Sequence, residues 1–187
     1  MAVSSALAIG FTVNFPEEPE TATSDLYEIG PHVMFSPPRV WEGLSRSVMV
    51  KHLDASWLKR LVYNLAMPVG YRMADFKFAK QKPPFGWRLL YGLMYLLTFR
   101  ALKDRLGFAQ LRSASTGGAA LGPDVFRFFH ALGVNLKQIY GQTEISGISC
   151  IHRDGDIDFD SVGKPIPETE ILIHNPDPSG VGEIVSR

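Results

Sequence analysis

Between Leu111 and Tyr140 the chain reads strand, glycine-rich turn, helix, strand, and this order restricts the fold more than any other feature of the sequence. Leu111 to Ser115 has strand character. The run Ser115-Thr116-Gly117-Gly118-Ala119-Ala120-Leu121-Gly122-Pro123 then joins it to a helix that Pro123 opens in its first turn and Gly133 closes. Val125, Phe126, Phe129 and Leu132 form that helix's apolar face, and Asn135 to Tyr140 returns as a strand. Short strands are expected at Ile148 to His152, Glu170 to Ile173 and Glu183 to Val185, separated by turns at Asp154-Gly155 and Asn175-Pro176-Asp177. A β, helix, β order followed by several strands places the chain in the α/β class, with sheet layers packed by helices and an ending in short β strands.

The first hundred residues are organised differently. Ala6 to Phe15 has small and β-branched residues that suit a buried strand, ended by Pro16 to Pro19, and Met1 to Ile9 lacks the basic start of a signal peptide. Short apolar runs at Leu26 to Ile29 and Val33 to Phe35 lead into Ser36-Pro37-Pro38, where paired prolines fix a rigid turn and exclude a central strand. From Val40 to Met67 the spacing of Trp41, Leu44, Val48, Leu53, Trp57, Leu61 and Leu65 predicts amphipathic helices facing a core, interrupted by Pro68. Trp87 to Leu106 reads as a helix that is apolar nearly all round in its first half and stops at Gly107. Its longest apolar run, Leu89 to Phe99, is well short of the ~20 residues that span a bilayer. Two readings of this helix and the basic, aromatic Phe76 to Lys82 before it stay open: a buried helix with a solvated lead-in, or peripheral contact with a membrane surface.

Charge and cysteine content narrow the partners. Nineteen basic residues balance nineteen acidic ones, so no whole-chain field draws the protein onto nucleic acid, and an anionic ligand has to be held locally. Cys150 is the single cysteine, which excludes an internal disulfide; its apolar flanks suit a buried thiol in a reducing, cytoplasmic setting. The five histidines have neither metal nor triad spacing.

Function-like residues concentrate in Tyr140-Gly141-Gln142-Thr143-Glu144, directly after a strand, where open α/β sheets usually hold ligands. A tyrosine ring can lie against a flat base, glycine lets a ligand approach the backbone, and the Thr143 hydroxyl can donate to a phosphate oxygen. Glu144 would repel phosphate directly, so its natural use is to hold a hard cation such as Mg²⁺ that bridges to phosphates. As a plain alternative, the same five residues make a polar turn with an exposed glutamate. The glycine turn from Thr116 is a second candidate, although Pro123 stands where a phosphate-binding P-loop needs lysine.

Four segments, TGGAALGPDVF from Thr116, VNLKQIYGQTE from Val134, DSVGKPIPETEI from Asp160 and GEIVSR from Gly182, occur in the order and spacing of the adenylate-forming superfamily. Together they resemble the central part of its large N-terminal region, and PPRVWE at Pro37 to Glu42 resembles the long-chain fatty acid CoA ligase branch. The resemblance implies that Gly118, Ala119 and Ala120 border an adenine and that Tyr140 stacks on it, with Gly141 and Gln142 beside them. It implies that Thr143 contacts the α-phosphate, that Glu144 helps to coordinate Mg²⁺, and that Thr116, Gly117 and Gly147 form part of the acyl pocket.

The implied reaction consumes a fatty acid, ATP and CoA. A fatty carboxylate attacks the α-phosphate to give acyl-AMP and pyrophosphate, and the CoA thiol then displaces AMP. The resemblance also implies that residues 1–187 are an incomplete central portion of an AMP-binding domain. The lysine-ended phosphate loop and the mobile C-terminal domain have no match here, so the chain alone is expected to be inactive. The alternatives are another carboxylate-activating enzyme of the superfamily, or a non-catalytic nucleotide- or acyl-binding module.

Overall fold

The computed structural model describes residues 2–18, 20–145 and 147–187, so Pro19, read above as part of a strand's end, lies outside the described residues. Helices α1 (Ala2–Ile9) and α2 (Ala22–Ile29) precede strand β1 (Val33–Ser36). Helices α3 (Pro38–Leu53), α4 (Trp57–Phe78) and α5 (Phe85–Met94) follow, then a π-helical turn at Tyr95–Phe99 and α6 (Arg100–Arg105). The second half runs β2 (Ser113–Thr116), α7 (Pro123–Ala131), β3 (Leu136–Gln142), a 3₁₀ turn at Thr143–Ile145, β4 (Gly147–Ile151), β5 (Lys164–Pro165), β6 (Ile171–His174) and β7 (Glu183–Ser186).

Strands β1 to β5 form one sheet in sequence order; β1, β2 and β3 are parallel, and β4 and β5 add on antiparallel. The hairpin β6–β7 is a separate two-stranded sheet. The fold is therefore the expected α/β arrangement with a strand-rich ending. In the parallel part Met34, Ala114 and Leu136 stand side by side in register, all buried, and all belong to the core under the helices. Because side chains alternate along a strand, Phe35, Ser115 and Lys137 point to the opposite face.

Beneath the first face lies an aromatic core. Trp41, with no exposed surface, meets Phe129 edge-on at 5.0 Å between ring centres and lies 5.8 Å from Phe108. Its indole Nε1–H donates to the Ser36 carbonyl, which ties α3 to the strand it follows. Pro37 is extended and Pro38 occupies the first turn of α3, where the missing amide hydrogen costs nothing. Helix α7 begins the same way at Pro123 and buries Phe126, Phe128, Phe129 and Ala131, followed by Leu132.

Several expectations from the sequence are corrected here. Ala6 to Phe15 is not a strand: α1 takes its first part, and Phe11 and Phe15 are exposed beyond it, outside any helix or strand. A strand needs a neighbour for its ladder, whereas a helix satisfies its own hydrogen bonds. Pro68 does not interrupt α4, which continues through it. The buried face of α4 around it is Ala66, Met67, Val69, Gly70 and Ala74, and this packing offsets the roughly 3 kcal/mol that an interior proline costs. Leu53, Trp57, Leu61 and Leu65, expected in the core, are exposed. The strand expected from Leu111 begins at Ser113, because Leu111 closes a turn by donating to the Phe108 carbonyl.

Polar links fasten α4 to α7. The Arg127 guanidinium donates from Nε and Nη2 to the two Asp75 carboxylate oxygens, each at 2.7 Å, and lies 4.8 Å from the Tyr71 ring centre. Lysine cannot reproduce this two-pronged, stacked geometry. Arg127→Lys is therefore expected to cost about 1 kcal/mol, an amount held down by the half-exposed position of the pair and readable as a lower urea midpoint. Deeper in the same seam, His130 donates from Nε2 to the Leu136 carbonyl at 2.9 Å and its Nδ1 faces Lys77 Nζ at 3.2 Å. Lys77 also donates to Asn135 Oδ1. The Phe76 to Lys82 stretch thus divides: Lys77 and Phe78 turn inward, while Lys80 and Lys82 stay in solvent.

Candidate functional site

Two chain reversals face each other at the carboxyl ends of β2 and β3. Strand β2 ends at Thr116, and the chain leaves the sheet through Gly117 and Gly118; the positive φ of Gly118 (88°) is a conformation that favours glycine. Strand β3 carries an irregularity between Tyr140 and Gly141, after which Gly141 pairs with Ile148 and Gln142 with Gly147. At Gly141 the two backbones come so close that a β-carbon there would stand 1.9 Å from the Gly147 carbonyl oxygen.

Between these reversals lies an open hollow of about 270 Å³ on the sheet face opposite the aromatic core. Gly117, Gly118, Gly141 and Gly147 supply backbone to its wall. Phe35, Ile139 and Ile148 give it an apolar flank, and Gln142 and Thr143 give it polar side chains. No ionisable side chain lines it among the described residues. An anionic group there would meet backbone amides and the Thr143 hydroxyl rather than a cation.

Of the residues singled out in the sequence, Gly117, Gly118, Gly141, Gln142, Thr143 and Gly147 therefore come together around one hollow. Five others lie off it. Thr116 is fully buried on the core side of β2, with its hydroxyl unpartnered among the described residues. Ala119 and Ala120 are exposed further along the glycine turn. Tyr140 is half-buried in the strand phase of Leu136 and Gln138, and its phenol oxygen accepts a hydrogen bond from Gln142 Nε2 at 2.6 Å. Glu144, in the 3₁₀ turn, is exposed and has no hydrogen-bond or ion-pair partner among the described residues.

The sequence reading missed Gln138. It is buried in β3 and donates from Nε2 to the Ala119 carbonyl at 2.9 Å, which pins the glycine turn to the strand. Its backbone amide donates to His152 Nδ1 at 3.1 Å, so the His152 proton sits on Nε2 and donates to the Ser161 carbonyl at 2.9 Å. Burial lowers the His152 pKa from its ordinary value, which favours this neutral form. A usable signal was present: Gln138 shares the strand phase of Leu136, so it is a polar residue at a core-facing position.

A divalent cation requires ligands. No group of three or more histidine, cysteine or acidic side chains is placed to hold a metal among the described residues. Mg²⁺ commonly takes one or two protein carboxylates and completes its shell with phosphate oxygens and water, so Glu144 would hold it only together with a bound phosphate.

The sequence profile of the family described as AMP-binding enzyme matches residues 1–187. The chain is 28% identical over 166 residues to the long-chain-fatty-acid–CoA ligase ACSBG2 of Gallus gallus, covering 88% of this chain and 21% of that protein. It is 29% identical over 160 residues to the ACSBG2 of Xenopus laevis, covering 86% of this chain and 21% of that protein. It therefore spans about a fifth of the length of these curated relatives. Among solved structures, the anthranilate CoA ligase AuaEII in complex with anthranoyl-AMP superposes with a TM-score of 0.50 at 18% identity, over 92% of this chain and 25% of that one. At that identity the likeness is one of fold.

Proposed function

The chain belongs to the AMP-binding enzyme family, and from that premise we propose that it supplies part of the adenylate and acyl site of a fatty acid–CoA ligase. The observation that carries this reading is the mixed lining of the hollow. Glycine backbone, the Gln142 amide and the Thr143 hydroxyl line it together with Phe35, Ile139 and Ile148. Adenylation needs both kinds of surface, because it joins a phosphate to the carboxylate of an apolar chain.

In the proposed first step a carboxylate oxygen of the fatty acid bonds to the α-phosphorus, the bond to the β-phosphate oxygen breaks, and pyrophosphate leaves. In the second the CoA thiolate bonds to the acyl carbon and AMP leaves with the electron pair of the mixed anhydride. Neither step calls for a nucleophilic side chain. The first brings anion to anion, so its barrier falls with donors placed where charge builds on the phosphorus oxygens. The Thr143 hydroxyl stands on the wall for that role, and the Gly118 backbone leaves room for the adenylate to lie against the turn. The Tyr140 ring, whose hydroxyl is tied to Gln142, would stack on the adenine. Mg²⁺, held through Glu144, would neutralise phosphate charge when bound. The supporting resemblance is to long-chain ligases, and the apolar flank agrees with an aliphatic acid.

AMP binding tests the reading without requiring turnover. AMP with Mg²⁺ is expected to raise the melting temperature of the chain in a concentration-dependent way. Thr143→Val should weaken AMP about tenfold, as loss of one hydrogen bond to a charged group does. Glu144→Ala should remove the Mg²⁺ dependence and spare binding in its absence. A cooperative transition that millimolar AMP leaves unmoved, with or without Mg²⁺, would sink the proposal.

A further inference from the structure

Helix α5 and the π turn after it are fastened to the molecule by one face and bare on the other. Inward, Tyr91, Met94 and Tyr95 pack on the core, Phe99 is fully buried, and the Tyr91 hydroxyl donates to the Ala131 carbonyl at 3.1 Å. Outward, Phe85, Leu89, Leu93 and Leu96 follow at helical spacing with relative exposures of 78%, 67%, 51% and 65%. Gly86 and Gly92 leave an open groove of about 620 Å³ along this stripe, with Arg88 on its edge. Four residues after Leu96 comes Arg100, also exposed.

The charges around the stripe are mostly basic. From Asp54 to Asp104 the chain carries nine of its nineteen cations and three of its nineteen acids, Asp54, Asp75 and Asp104. Asp75 is occupied by Arg127. Lys82, Arg88 and Arg100 have no carboxylate partner among the described residues. Three cations without a carboxylate partner thus accompany the exposed apolar stripe along the chain.

We propose that this face of α5 rests on an anionic phospholipid bilayer, with the leucine stripe in the headgroup–acyl boundary and Lys82, Arg88 and Arg100 at the lipid phosphates. Interfacial helices combine apolar and basic residues in this way, sinking about 5–10 Å and keeping their cations at the anionic surface. No described helix is long and apolar enough to cross a membrane, so the contact is with the surface. A second copy of the chain is a poorer occupant. Two-fold pairing through this stripe would set Arg88 and Arg100 against their own equivalents, with Asp104, one turn beyond Arg100, as the acid nearest to them in the helical segment. The inference is independent of the nucleotide hollow.

Co-flotation with vesicles tests it. The chain should float with phosphatidylcholine vesicles carrying about a quarter phosphatidylglycerol, much less with phosphatidylcholine alone, and less as salt rises. The pair Leu89→Asp and Leu93→Asp should abolish flotation. The pair Arg88→Glu and Arg100→Glu should weaken it at least tenfold. Leu172→Asp, at an exposed position on β6, should leave it unchanged. All these positions are exposed, and unchanged melting will show that the variants fold. Equal binding to neutral and anionic vesicles would overturn the proposal, as would no flotation of a cooperatively melting chain. A vesicle-free dimer that Leu93→Asp dissociates would overturn it in favour of self-association.

Discussion

Alanine at position 141 is expected to cost the fold about 3 kcal/mol and to abolish AMP binding, an effect out of proportion to one methyl group. The added carbon would stand 1.9 Å from the Gly147 carbonyl oxygen and 2.8 Å from its carbonyl carbon, and both are backbone atoms that no rotamer change can move. The chain can make room only by separating β3 from β4, which breaks the pairings of Gly141 with Ile148 and of Gln142 with Gly147. All four residues line the hollow, so the separation distorts the proposed nucleotide wall as well as the sheet. Gly118→Ala is the informative comparison: nothing lies within 4 Å of a β-carbon there, and only the positive φ is strained. That strain is worth about 1 kcal/mol. Urea unfolding of the two variants should therefore separate widely. If Gly141→Ala unfolds at the same urea concentration as the parent, the close approach of β3 and β4 is not as described.

The second large effect is acid sensitivity. His130 is buried, its Nε2–H is committed to the Leu136 carbonyl, and the Lys77 ammonium faces its Nδ1. Burial and that neighbouring positive charge push its pKa down to about 3, whereas an unfolded histidine titrates near 6.5. Between those values the unfolded chain holds a proton that the folded chain does not, so stability rises with pH across the window. The contribution is complete above about pH 6.5 and is lost on acidification at about 1.4 kcal/mol per pH unit, or about 3 kcal/mol by pH ~4.5. His152, also lowered by burial, works in the same direction. Melting temperatures should fall steadily from pH 7 to 4.5. His130→Gln keeps a donor for Leu136 and an acceptor for Lys77 without titrating, so it should flatten the slope; a parent protein whose melting temperature is constant over that range would refute the argument.

Local chemistry made the catalytic-looking half of the molecule legible. Pro123 and Gly133 bracket α7 because one lacks an amide hydrogen that the first turn does not need and the other ends a helix easily. Strand β3 and the glycine turn before α7 were readable for the same kind of reason, and six of the singled-out residues meet around one hollow. Gln138 was passed over because its partner, the Ala119 carbonyl, lies nineteen residues away in the chain.

The helical half misled, and α4 shows why. Its large residues, Trp57, Leu61 and Leu65, repeat at helical spacing and dominate any apolar pattern, yet they are exposed. The face that packs is Ala66, Gly70 and Ala74, each four residues from the next and too small to stand out. A β-carbon at Gly70 would lie 2.8 Å from the Phe99 ring and 3.0 Å from the Ala131 side chain, so close helix packing selected the small residues. The amino-acid sequence by itself determined the elements whose ends are set by their own residues: the proline-opened helices, the glycine turn and the strand that runs into Thr143. Only the tertiary structure decided which helix face turned inward, that Ala6 to Phe15 made no strand, and that Tyr140 and Glu144 do not line the hollow. Caps and turns are fixed by forces within a few residues, whereas burial depends on what the rest of the chain brings alongside.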